Sequence, residues 1–116
     1  MEQQYLIDSN AAIDYLSGKL PEAGMKFMNS VINDFPKISV ITKIEVLSFN
    51  TDPTAYLLLE EFINSCIILD LNDEIISGTI SIRKNNKIKT PDAIIAATVN
   101  FLILSNTLCT KMSFLN

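Results

Sequence analysis

The sequence predicts an α/β protein with a parallel sheet of about four strands and helices on both faces. Three observations lead there. Short apolar runs alternate with longer stretches of helical periodicity. Pro, Gly, Asp, Asn and Ser stand at the junctions between them. Of the 116 residues, 48% are apolar, enough to build the core of one domain over residues 1–116.

The elements follow in order. Tyr5-Leu6-Ile7 is a short apolar run ending in Asp8-Ser9-Asn10, a buried strand and then a helix start. Ala11 to Ser17 suits a helix, which Gly18 stops. Pro21 opens a second helix that runs to about Asn33, and Pro36 closes that region. Ile38 to Ile41 reads as the second strand and Thr42 to Phe49 as the helix after it. Pro53 begins another helix, and Cys66 to Leu69 is the third strand. Asn72 to Lys84 carries Ile75, Ile76, Ile80 and Ile82 at helical spacing, although isoleucines also suit a strand. Thr90-Pro91-Asp92 opens a strongly apolar helix to about Leu104, and Leu108-Cys109 lies in a fourth short strand.

Composition removes whole classes of chemistry. There is no histidine, so a Ser-His-Asp triad, a Cys-His pair and histidine-ligated metals are excluded. Cys66 and Cys109 lie far apart in apolar runs and read as buried reduced thiols, not as a disulfide or a zinc site. The formal net charge is −4, whereas a protein that holds nucleic acid by electrostatics alone is normally basic. A bound divalent cation would supply the missing positive charge. Met1-Glu2-Gln3-Gln4 is not a basic signal-peptide start, and the apolar stretch from Ala93 to Leu104 is too short to span a bilayer. A cytoplasmic location is the expectation.

In parallel α/β sheets, sites form beyond the carboxyl ends of the strands. That edge selects Asp8 to Asn10, Thr42 to Glu45 and the segment after Cys109, with Asp92 joining if its helix starts there. Each acid also has a plainer reading. Asp8 can cap the helix after it. Glu45 stands in capping-box spacing from Thr42. Asp92 in a first helical turn suits the helix dipole. Together, however, three acids at the starts of three helices in an alternating chain form a pattern. Gathered carboxylates repel unless a cation neutralises them, and oxygen ligands without His or Cys suit Mg²⁺ or Mn²⁺.

Tyr-Leu-Ile-Asp-Ser-Asn (5–10), Ile-Thr-Lys-Ile-Glu-Val-Leu (41–47) and Thr-Pro-Asp-Ala-Ile-Ile-Ala-Ala-Thr (90–98) resemble the three main motifs of the PIN domain. They are most similar to the toxin subunits of VapBC-type toxin–antitoxin pairs. The resemblance runs from residue 4 to about residue 111 and implies a PIN-like three-layer α/β/α fold. It implies a metal-dependent endoribonuclease, a homodimer, and a cognate antitoxin that blocks the site. On matching positions Asp8, Glu45 and Asp92 would be the catalytic, metal-ligating carboxylates. Asn10 would orient Asp8 or a phosphate, and Thr42 would supply a supporting hydroxyl. After Thr110-Lys111 the chain departs from the family: Met112 stands where an Asn is usual, and no acid follows Asp92. The expectation is a chain shortened at its C-terminal end, lacking the fourth carboxylate and the last strand and helix, with weakened catalysis.

Three functions compete at this point. The first is Mg²⁺- or Mn²⁺-dependent hydrolysis of RNA by a toxin. The second is a catalytically degenerate PIN-fold module that still holds an antitoxin. The third, a phospho-acceptor domain, needs a pair of acids after the first strand, which Asp8-Ser9-Asn10 lacks, and Asp70 beside Asp8. A homodimer is also expected because the helices starting at Pro21 and Pro53 carry more apolar residues than a small sheet can cover.

Overall fold

The computed structural model describes residues 4–34, 36–104 and 109–112. Among these residues ten elements follow one another: β1 (Gln4–Ile7), α1 (Ser9–Leu16), α2 (Glu22–Ile32), β2 (Lys37–Ser39), α3 (Val40–Leu47), α4 (Pro53–Ser65), β3 (Ile67–Leu69), α5 (Asp73–Asn85), α6 (Thr90–Leu104) and β4 (Cys109–Met112). The strands form one sheet in the order β3-β2-β1-β4, with every neighbouring pair parallel. Ile7 of β1 is in register with Met112 of β4, and Ser39 of β2 with Leu69 of β3.

The alternation of side chains along a strand divides the core into two layers. From β1, Ile7 faces α1 to α4, where it packs with Ala11, Met28, Ile38, Val46 and Phe62. Leu6, between Tyr5 and Ile7, faces the other way onto Ile95 and Leu102 of α6. Helix α5 lies outside α6, so close that a Cβ on Gly78 would sit 3.3 Å from that of Ala97. The arrangement is the three-layer α/β/α fold expected from the sequence.

Polar junction residues set where the helices begin. Asp8, Ser39, Asp52 and Asn72 precede α1, α3, α4 and α5, and their side chains accept the backbone N–H of Ala11, Ile41, Ala55 and Ile75. Each such cap satisfies a donor that the helix leaves open. At the end of α1, Gly18 takes φ +72°. The Gly18 N–H donates to the Tyr15 carbonyl (3.2 Å) and the Lys19 N–H to the Asp14 carbonyl (2.9 Å). That pair of bonds is a Schellman motif, which needs the left-handed residue glycine supplies.

The junction of β2 and α3 differs from the sequence expectation. The strand ends at Ser39 and the helix starts at Val40, two residues early, because the Ser39 hydroxyl takes the Ile41 N–H at 3.2 Å. Thr42 and Glu45 therefore lie within α3, and the capping box expected between them does not form. The isoleucines of residues 75–82 are helical. Cys66 ends α4 rather than starting β3. Leu108 and the segment after Met112, where a last strand and helix were expected to be missing, lie outside the described residues. The apolar surplus expected on α2 and α4 appears at Phe27, Leu57 and Leu58, and extends to Ile76 and Ile80 of α5 and Ile103 and Leu104 of α6. Among the described residues no helix is long and apolar enough to cross a membrane.

Candidate active site

Strand β1 is central, and the chain crosses from the β3 edge of the sheet to place β4 on its other side. The direction of strand addition thus reverses between β1 and β4, and the crevice beyond their carboxyl ends is the position where such sheets bind ligands. Asp8 is the first residue beyond β1. It is half-buried with extended backbone (φ −89°, ψ 171°), and its Oδ1 accepts the Ala11 N–H at 3.0 Å. The plain reading of Asp8 as a helix cap is thus correct as far as it goes.

Ser9, which sequence reasoning passed over, ties two of the motifs together. Its hydroxyl donates to Glu45 Oε1 at 3.1 Å, across 36 residues of chain. Glu45 is exposed on α3, which packs against α1. One turn earlier on the same helix stands Thr42, fully buried, and its hydroxyl has no hydrogen-bond partner among the described residues. Residues three apart on a helix share a face, so Thr42 and Glu45 project to the same side of α3. Asn10 is exposed in the first turn of α1.

Asp92 is exposed in the first turn of α6. Helix α6 leads back to β4 and packs against it, so it starts toward the carboxyl ends of the strands. The topology places Asp8, Glu45 and Asp92 on one edge of the sheet. It does not close them around a point: among the described residues, no three carboxylate or thiol groups are close enough together to hold a metal ion. The donor types present, carboxylates with an amide and hydroxyls and no imidazole, fit a hard divalent cation in kind.

Other candidates fall away. Asp70 follows edge strand β3, two strand spacings or roughly 10 Å from β1, so it cannot pair with Asp8 as a phospho-acceptor site requires. Cys66 is half-buried, and its thiol donates to the Phe62 carbonyl at 3.2 Å. Burial pushes that thiol up to about 12, which keeps it protonated and unreactive at neutral pH. The side chain of Cys109 lies outside the described residues.

No protein-family model matches this sequence, and no curated protein matches it. Solved structures do. A chain of a toxin–antitoxin complex from Klebsiella pneumoniae superposes with a TM-score of 0.69 at 24% identity, over 91% of this chain and 83% of that one. A chain of VapBC2 from Rickettsia felis, bound to a DNA fragment from its promoter, gives 0.66 at 13% identity, over 96% and 100%. A chain of the DNA-bound VapBC from Salmonella typhimurium gives 0.65 at 19%, over 95% and 98%. At these identities the likeness shows the fold, a parallel sheet between two layers of helices.

Proposed function

We propose that this chain is a Mg²⁺- or Mn²⁺-dependent endoribonuclease, the toxin of a toxin–antitoxin pair, with Asp8, Glu45 and Asp92 as its metal ligands. The observation that carries this reading is the Ser9–Glu45 hydrogen bond, which holds the acid of the second motif against the residue that follows Asp8. The neighbouring structures are toxin–antitoxin assemblies, which supports a cognate antitoxin as partner. The proposed molecule works as a homodimer.

Each residue has a task. Strand β1 and the cap to Ala11 fix the direction of Asp8 at the crevice. Ser9 restrains the longer Glu45 side chain, and Asp92, in the first turn of α6, would supply the third carboxylate once a cation draws the acids together. Asn10, exposed in the first turn of α1, would orient Asp8 or donate its amide to a phosphate oxygen of RNA. When bound, the cation would polarise a phosphoryl oxygen and lower the pKa of a water.

The test is calorimetric and kinetic. Mn²⁺ should bind the wild-type chain at one class of site, and Asp8→Asn, which removes a ligand charge with little change of shape, should reduce that binding and bring RNA cleavage to background. Cleavage that Asp8→Asn leaves unchanged would remove the site assignment. The second reading, a degenerate PIN-fold module that holds an antitoxin without cutting RNA, is favoured by the separation of the three acids. Antitoxin binding with no Mn²⁺ binding would establish it instead.

A further inference from the structure

The fold leaves a bare apolar strip on α5. Ile76 and Ile80 are 44% and 52% exposed. With Leu71, Thr79 and Ile94 they line a groove of about 190 Å³. At 3.6 residues per turn, Asp73, Ile76, Ile80 and Arg83 fall within an arc of about 80° on the helix surface. Along α5 the strip therefore reads acid, apolar, apolar, base. Reversed in direction, it becomes its own complement. A helix dipole favours an acid in the first turn and a base in the last, but makes no demand on which face they occupy. Here both share the isoleucine face.

We propose that this strip is the docking surface for a second copy of the chain, α5 against α5, antiparallel about a two-fold axis near position 78. Two-fold contacts are self-complementary, with residue i of one copy meeting residue j of the other and the reverse. Ile76 of one copy then faces Ile80 of the other, and Asp73 faces Arg83, each contact made twice. Arg83 donates from Nε to the Ile88 carbonyl at 3.3 Å, so its two outer nitrogens remain for a carboxylate. This rests on the homodimer of the proposed function and assigns its surface.

Sedimentation velocity on the full chain tests it. The wild type should sediment as a dimer. Ile80→Asp, at an exposed position, should keep the wild-type circular dichroism and sediment as a monomer. Asp73→Arg sets like charges opposite each other twice and should weaken association roughly tenfold. Adding Arg83→Asp should restore it, because the pair is then swapped and complementary again. The charge swap lies wholly on the surface, so it decides the question even if Ile80→Asp fails to fold. A dimer that Ile80→Asp leaves intact keeps the homodimer and overturns this surface. A wild-type monomer overturns both. A double swap that does not recover association overturns the antiparallel pairing.

Discussion

Thr42 is fully buried, and its hydroxyl has no hydrogen-bond partner among the described residues; a buried hydroxyl left in that state costs about 1–3 kcal/mol. Valine has the same shape without the polar atom. Thr42→Val should therefore raise stability, by about 1 kcal/mol in urea unfolding. If the hydroxyl supports the metal site, the same variant should also lose roughly tenfold in Mn²⁺ affinity. A stabilised variant with unchanged Mn²⁺ binding would make Thr42 a packing residue. Its place on the helix after β2 was legible in the sequence, but its burial without a partner among the described residues was not, since that depends on how α3 packs. Ser9 was illegible for the same reason: its partner is 36 residues away. The position of Asp8 at the end of β1 was legible because it follows an apolar run directly. Cys66 offers a pH readout at this scale. Its thiol is raised from 9.0 to about 12, mainly by desolvation. Between those values the unfolded chain has lost the proton that the folded chain keeps, so folding weakens as pH rises above 9. Measured against Cys66→Ala, the wild type should lose relative stability from pH 9 toward 12 and none below. A constant difference across that range would mean the thiol is well solvated.

At the level of elements, local chemistry predicted most boundaries. Helix α6 spans Thr90–Leu104 as the sequence implied, since Pro91 pre-sets a first turn and the run after it is apolar. The β2–α3 junction was misplaced because Val40 and Ile41 are β-branched and read as strand. The Ser39 cap and the packing of α3 overrode that preference. The end of α1 gives a clean test of a boundary signal. A Cβ at Gly18 would meet nothing within 4 Å, so Gly18→Ala adds no clash and isolates the cost of left-handed backbone. That cost should be about 1 kcal/mol in urea unfolding, with Gly18→Asn costing less because Asn tolerates the conformation better. An Ala variant as stable as wild type would mean that α1 can end without the Schellman bonds. Because α1 carries Asp8, Ser9 and Asn10 at its other end, the variants also show whether the site depends on the whole helix or on its capped first turn.

For the whole molecule, charge sets the terms of any encounter with RNA. The chain carries a formal net charge of −4, and three of its thirteen acids, Asp8, Glu45 and Asp92, belong to the candidate site. Such a site repels a polyanion, and no basic surface of the kind that drives metal-free RNA binding follows from nine Lys and Arg residues against thirteen acids. RNA binding should accordingly depend on the cation more strongly than in a basic nuclease. Fluorescence anisotropy with a short single-stranded RNA should show little binding in EDTA and clear binding in Mn²⁺. Asp8→Asn separates two contributions. It removes one negative charge, which by itself would favour RNA in EDTA, and it weakens the metal site, which should reduce binding in Mn²⁺. Opposite movements in the two buffers are the signature of a metal-bridged complex. If the wild type binds RNA equally in EDTA and Mn²⁺, the acids of this site do not mediate recognition, and an interaction with an antitoxin becomes the function the fold has to explain.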